Sequence, residues 1–273
     1  MSSGTNRAAM ADISATVVTL NEEENIRDCL ETLTWCNEII VVDSYSDDDT
    51  VEIAREYTNK IFTYERTGYG EPARKKAFEE ASGEWICMID ADERIPHRLA
   101  QRLKTIIKKD AADIVYAPRK NYIFGQWINH AGWWPDHRPV LYKKSAATLS
   151  DKIHDFVSFP EHSREIRINE EKKSIIHFNY TDVNSFISRM NRYTEIEAHQ
   201  TQFSLYKLLI WPSYEFFYRF ILKGGFLIGY KGLFLSIFMS WYRMLTLAKA
   251  WQYQYIGDEE DIKSYYDSKD EQI

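Results

Sequence analysis

The chain has only three cysteines in 273 residues, Cys29, Cys36 and Cys87. They show no paired metal-ligand spacing and leave one over if two pair, which excludes a disulfide framework and suits reduced thiols in a cytosolic protein. There is no glycine-rich phosphate loop of the dinucleotide or P-loop kind, so phosphates would have to be held by a metal and by side chains. The N-terminal stretch MSSGTNRAAMADIS lacks the apolar core of a signal peptide, and residues 1–12 read as a disordered leader. No apolar run is long and clean enough for a transmembrane helix; the longest, Phe226 to Trp241, is interrupted by Lys231. The net charge of −7 argues against general nucleic-acid binding. Repeats and low-complexity tracts are absent.

Aromatics are abundant at 15%, with 8 Trp, 18 Tyr and 14 Phe, and many fall in the stretches 116–142 and 203–255. Aromatic rings stack on sugars and settle at membrane interfaces, so their clustering bears on function as well as packing. Charge is uneven too. Between Lys207 and Lys249 six basic residues stand against Glu215 alone, whereas after Gly257 seven acidic residues face Lys263 and Lys269.

The first half alternates apolar strands with helical stretches, the sign of an α/β protein with a mostly parallel sheet. Strands are expected at Ile13–Thr19, Glu38–Asp43, Ile61–Glu65, Trp85–Ile89 and Asp113–Ala117. Helices are expected at Glu22–Leu33, Asp47–Tyr57, Glu71–Ala81 and Pro96–Lys109. Beyond Arg119 the pattern becomes irregular, with Gly, Pro and aromatics suggesting short antiparallel strands and loops to about residue 178. A polar helix follows from Asp182 to His199, capped by Thr181 or Asp182, and two or three amphipathic helices fill 203–256. The expected division is a catalytic domain over 13–200, a membrane-associating helical region over 201–256, and a solvated acidic tail over 257–273.

Ligands of open α/β sheets bind beyond the carboxyl ends of the strands. Three polar clusters fall there: Thr19-Leu20-Asn21-Glu22, Asp43-Ser44 and Asp90-Ala91-Asp92-Glu93. Each alone reads equally well as a helix cap or a wet loop; three on one sheet point to a shared pocket. Asp90 and Asp92, two apart as the chain leaves a buried strand, suit Mg²⁺ or Mn²⁺ bound together with substrate phosphates. The bland reading is that Asp92 caps the helix after Pro96. Asp43 could hydrogen-bond the base or ribose of a nucleotide, and Arg74 and Lys75 are the nearest cations for its phosphates, unless they are two solvated charges on a helix.

The segments TLNEEENI, EIIVVDSYSDDDTVEIA and GYGEPARKKAFEEASGEWICMIDADERI resemble glycosyltransferase family 2, of GT-A fold. The later segments IFGQWINHAGWWPDHRPVLYKK, IHDFV and IIHFNYTDVNSFISRMNRYTEIEA are similar to a bacterial branch of β-glucosyltransferases that extend the lipopolysaccharide inner core. The likeness spans roughly residues 13–250, with two departures: Lys75 stands where the branch usually has Asn, and Tyr45 where it has Gly. The resemblance implies an inverting transfer from a UDP-sugar to a lipid-linked saccharide, with Mg²⁺ or Mn²⁺ at Asp90 and Asp92. It implies a nucleotide on Thr19, Asn21, Glu22 and Asp43, with Arg74 near the pyrophosphate.

Inversion in one step needs a general base for the acceptor hydroxyl. Asp136, in Trp133-Trp134-Pro135-Asp136, is the first candidate, because apolar walls would raise a carboxylate's pKa toward working pH. Asp155 is its rival. His154 reads as a further metal ligand or an ordinary loop histidine, and Trp133 and Trp134 as a sugar platform or core. The apolar positions of the last third fit packing on the catalytic domain, a homo-oligomer contact, or helices lying on an anionic inner leaflet, the reading favoured by their interleaved basic residues. Two rival functions remain: transfer to polyprenyl phosphate or a capsule intermediate, and a non-catalytic membrane-bound nucleotide-sugar binder.

Overall fold

The computed structural model describes residues 11–66, 70–149 and 157–270. In chain order the elements are β1 (Ile13–Thr19), α1 (Glu23–Glu31), β2 (Glu38–Asp43), α2 (Thr50–Arg55), β3 (Ile61–Thr63), α3 (Glu71–Glu80), β4 (Trp85–Asp90), β5 (Glu93–Arg94) and α4 (His97–Lys108). Then follow β6 (Ile114–Ile123), β7 (Gln126–Trp127), β8 (Asp136–Lys143), β9 (Thr148–Leu149), β10 (Val157–Ser158), β11 (Glu165–Arg167) and β12 (Ile175–Tyr180). Four helices complete the chain: α5 (Val183–Gln200), α6 (Leu205–Phe217), α7 (Tyr230–Tyr255) and α8 (Glu259–Asp270).

The chain divides into two compact units, one of residues up to 122 with 135–179, the other of 123–134 with 180 onward. In the first unit the sheet runs β3-β2-β1-β4-β8-β6-β12-β5. Its β3-β2-β1-β4 half is parallel, and β8 joins β4 antiparallel. The continuous apolar runs of β1, β2 and β4 give both faces a core, because successive side chains point to opposite sides. Val41, Cys87 and Ile89 meet Leu30, Leu99 and Leu103 of α1 and α4 on one face. Ile40, Ile86 and Met88 meet Ala73 and Ala77 of α3 on the other. Helices on both faces leave the strands' carboxyl ends as the open edge of the sheet.

Most elements start and stop within a few residues of expectation. The exception is β6, which continues to Ile123 instead of ending at Ala117. Pro118 and the polar run Arg119-Lys120-Asn121 lie within this one long strand, flanked by β8 and β12. Pro96, with no side-chain cap, precedes α4, so Asp92 is not that helix's cap.

In the second unit α5 starts from a capping box in which Asp182 accepts from the Ser185 amide at 2.7 Å. It packs on α7: Tyr242 donates to Glu197 at 2.6 Å and Lys249 pairs with Glu195 at 2.9 Å. The compact units thus group α5 with the C-terminal helices, whereas the expected catalytic domain ran to residue 200. The helical stretch of α6 runs on through Leu222 and stops at Gly224, whose φ of 67° suits glycine. Gly232 of α7 lies so close to Gly225 that a Cβ there would sit 1.9 Å from its carbonyl oxygen. Much of the acidic tail is the exposed helix α8. Among the described residues no helix is long and apolar enough to cross a membrane.

Candidate functional site

The open edge of the sheet begins with two tightly built turns after β1 and β2. Asp43 is buried, and both its oxygens accept from Ser46, from the amide at 2.9 Å and from the hydroxyl at 2.5 Å. Asn21, at φ 53°, accepts from the Asp47 amide at 3.0 Å, while its own amide donates to Ser46 Oγ at 2.8 Å. Glu22 donates its amide to Thr50 Oγ1 at 2.8 Å. These side chains shape the rim that a nucleotide would meet. Thr19 Oγ1 is buried and has no hydrogen-bond partner among the described residues, an atom a ligand could satisfy. Tyr45 sits at φ 59°, a left-handed conformation that glycine adopts freely and a bulky side chain does not.

At the end of β4 the charges concentrate. Asp90 accepts from Arg74 at 2.7 Å and from Arg138 at 3.0 Å, one guanidinium on each oxygen. Burial alone would push this carboxyl up, but the two guanidiniums outweigh it and hold it well below the usual carboxylate range. Glu93, fully buried, takes Arg138 on both oxygens at 3.0 Å and the Asp90 amide at 3.1 Å. Arg119 stands 3.5 Å from Glu93. Three arginines and two carboxylates therefore interlock at the strand end, a balance that keeps cations close to where a diphosphate would lie. Lys75 follows Arg74 on α3 and so lies about 100° round that helix.

Asp92, also buried, faces His177 of β12, with Oδ2 and Nε2 3.4 Å apart. The other ring nitrogen, Nδ1, is 2.6 Å from Asn121 Oδ1. With Nδ1–H donated to that oxygen, a neutral His177 offers its Nε2 lone pair toward the Asp92 carboxylate. One nitrogen and one oxygen donor converging in this way fit a hard or borderline divalent cation such as Mg²⁺ or Mn²⁺. Among the described residues no group of three or more His, Cys, Asp or Glu side chains is arranged to hold a metal. Two protein ligands completed by substrate phosphates is the usual arrangement for these ions.

Asp136 opens β8 directly opposite Arg119 of β6. Its Oδ2 accepts from Arg119 Nε at 2.7 Å and Nη2 at 2.6 Å, and from Asn121 Nδ2 at 3.2 Å. All three donors fall on Oδ2, and none of the described residues donates to Oδ1. Its hydrogen-bond partners are thus a guanidinium and an amide. Asp155 and His154 lie outside the described residues. Trp133 and Trp134 belong to the second unit, where Trp133 packs on Tyr180 and Phe186 with ring centroids 6.4 and 6.5 Å away and under Arg219. Trp134 stands edge-on to Trp127 at 5.6 Å.

His177, Asn121, Arg119 and Arg138 were not singled out in the sequence, and Glu93 only as part of its strand-end cluster. The missing signal is structural. Arg119 and Asn121 share a face of β6 only because that polar stretch is a strand, and His177, although within the IIHFNY segment of the resemblance, is an inward position of β12 that nothing in the sequence ties to Asp92.

Comparison with known proteins adds the following. The family model described as Glycosyl transferase family 2 matches residues 14–166, more than half of the chain. A lipopolysaccharide core biosynthesis glycosyltransferase, LpsC of Rhizobium meliloti (strain 1021), is 28% identical over 88% of this chain and 92% of its own length. An uncharacterized glycosyltransferase of Rickettsia typhi is 27% identical over 88% of this chain and 87% of its own. Among solved structures, S. aureus TarS 1–349 aligns over 89% of this chain and 91% of that chain at 14% identity, with a TM-score of 0.46.

Proposed function

The chain belongs to glycosyl transferase family 2, and from that premise we propose that it moves a hexose, glucose in the first instance, from a UDP-sugar onto a lipid-linked saccharide of the lipopolysaccharide core, with inversion. It is a glycosyltransferase, and its mostly parallel sheet between helices is of the GT-A kind. The observation that carries the reading is Asp90-Ala91-Asp92 at the carboxyl end of β4, with His177 brought beside Asp92. The acceptor class is supported by the likeness to a lipopolysaccharide core enzyme over nearly the whole chain.

In this reading Thr19, Asn21, Glu22, Asp43 and Asp90 form the nucleotide rim, with Arg74 and Lys75 on the phosphate side. Asp92 and His177 hold Mg²⁺ or Mn²⁺. The bound cation supplies Lewis-acid neutralisation of the departing diphosphate. Arg74 and Arg138, already gathered at Asp90, add fixed positive charge on the leaving-group side at no reorganisation cost. Asp136 acts as the base: Arg119 and Asn121 fix Oδ2, so Oδ1 takes the acceptor hydroxyl's proton on the opposite face. Trp133 and Trp134 stand beside it in the chain as acceptor-side residues.

The second unit is the membrane-facing part. In α6 polarity is inverted: the one buried residue is Glu215, paired with Arg219 at 2.6 Å and Arg243 at 3.3 Å. Leu205, Leu209, Tyr214 and Phe217 are 60% exposed or more. A helix that turns a carboxylate inward and leucines outward is suited to an apolar surround, and Lys207 and Lys223 match an anionic leaflet. These features support a reading in which the enzyme works at the cytoplasmic face of a bacterial inner membrane.

The test is transfer of labelled hexose from UDP-glucose, UDP-galactose or UDP-N-acetylglucosamine to truncated lipopolysaccharide core, with Mn²⁺ or with chelator. Metal-dependent labelling of the core glycan from one donor is expected. Labelling of polyprenyl phosphate instead, or donor binding with no transfer to any acceptor, would overturn the assignment.

A further inference from the structure

We propose that Asn121 is a positioning residue: held by Asp136, its amide fixes His177 as the Nδ1–H tautomer and so presents a bare Nε2, beside Asp92, to the divalent cation. The inference rests on the metal-dependent reading above and goes beyond it, since it gives a buried amide a part in setting metal affinity and gives Asp136 a second task.

The sheet order creates the arrangement. β6 lies between β8 and β12, so a side chain on one face of β6 can reach both neighbours. Asn121 does so, with Nδ2 3.2 Å from Asp136 Oδ2 on one side and Oδ1 2.6 Å from His177 Nδ1 on the other. An ionised carboxylate only accepts, so the amide end facing Asp136 must be the NH₂. The end facing His177 is then a carbonyl oxygen, which only accepts, so Nδ1 must carry the hydrogen. In the neutral ring Nε2 is left with its lone pair, 3.4 Å from Asp92 Oδ2.

Three further features hold the orientation. Asn121 is 1% exposed, so water does not compete for either end of its amide. Arg119 donates twice to the same Oδ2, at 2.7 and 2.6 Å, which keeps that oxygen in place as an acceptor. Turning the amide over would set its oxygen against the Asp136 carboxylate, two acceptors facing each other. A hydrogen bond to the far nitrogen of a ligating histidine fixes its ring and tautomer, and losing such a partner typically lowers metal affinity 10- to 100-fold.

The variants separate the parts. Asp136→Asn still offers an oxygen where Oδ2 stands, because three donors face that position, so it should keep the His177 tautomer. Asn121→Leu fills the space but accepts nothing from Nδ1. Two readouts apply to the full chain: ring ¹⁵N–¹H correlation spectra of His177 without metal, and Mn²⁺ binding in the presence of UDP by calorimetry. We expect wild type and Asp136→Asn to show a protonated Nδ1 and a bare Nε2 and to bind Mn²⁺ alike. Asn121→Leu should lose that single tautomer and bind Mn²⁺ about 10- to 100-fold more weakly. A wild-type His177 protonated at Nε2, or an Asn121→Leu variant that keeps both tautomer and affinity, overturns this proposal alone. Wild type that binds no Mn²⁺ with UDP overturns the metal-dependent reading and this proposal with it.

Discussion

Replacing Asp136 by Asn tests the assignment of the base with little disturbance to its surroundings. In the folded protein Arg119 and Asn121 place three donors on Oδ2, at 2.7, 2.6 and 3.2 Å, and none on Oδ1. An asparagine amide must turn its oxygen toward those donors, which puts its NH₂ where Oδ1 was. The variant then presents a donor to the acceptor hydroxyl and cannot take its proton. General-base catalysis contributes about 10²- to 10⁴-fold, or ~3–5.5 kcal/mol at ~1.4 kcal/mol per tenfold. The same contacts, weakened from charge-assisted to neutral, cost stability about 1 kcal/mol. The assay is kcat for transfer to the core acceptor, beside calorimetric donor affinity and a thermal melt. A kcat down at least 100-fold with donor affinity within a factor of three supports the assignment. A loss of less than tenfold, or donor binding that falls with the rate, would refute it and pass the role to Asp155.

Other perturbations follow from the same geometry. Burial pushes the Glu38 carboxyl up, but Lys60, Ser14 and the Ser82 amide and hydroxyl, the latter two at 2.7 and 2.8 Å, hold it down at about 2. Its stabilisation is therefore full above the unfolded value near 4.5 and is lost as pH falls toward 2. Discounted for solvent screening this is about 1–2 kcal/mol, so Glu38→Gln should melt lower than wild type at pH 7 and converge with it near pH 2. Gly232→Ala drives a methyl into the Gly225 carbonyl, 1.9 Å from the ideal Cβ. A clash of that kind costs about 1–3 kcal/mol or more, which a chemical denaturation series would detect. Replacing Leu205, Leu209 and Leu222 together by Ser removes exposed apolar surface without touching the core. Vesicles of anionic lipid should then lose the protein in flotation while its melting temperature holds; unchanged flotation would remove the membrane reading of that face.

What could be read in the chain beforehand depended on which force set each element. β1 and β2 begin and end where expected, because an unbroken apolar run closed by a polar strand end has one interpretation in a parallel sheet. β6 did not, since Arg119 and Asn121 are polar for the sake of the site and conceal its alternation, and Pro118 reads as a breaker. The helix α6 was expected, but which face it buries was not, since its leucines are outside and its glutamate inside, the reverse of the amphipathic rule. Asp90 and Asp92 were visible because both lie in one short segment at a strand end. The partners that define them, Arg138, Asn121 and His177, come from β8, β6 and β12 and meet only through the sheet order. No spacing in the sequence encodes that meeting.

The most direct test of the whole account is calorimetric titration of UDP-glucose, UDP-galactose and UDP-N-acetylglucosamine into the wild type and Asp92→Ala, each with Mn²⁺ and with chelator. The account predicts that one UDP-sugar binds wild type only with Mn²⁺, and that folded Asp92→Ala loses this metal-dependent binding. Equal binding with chelator, or an Asp92→Ala variant that binds as wild type does, would contradict it.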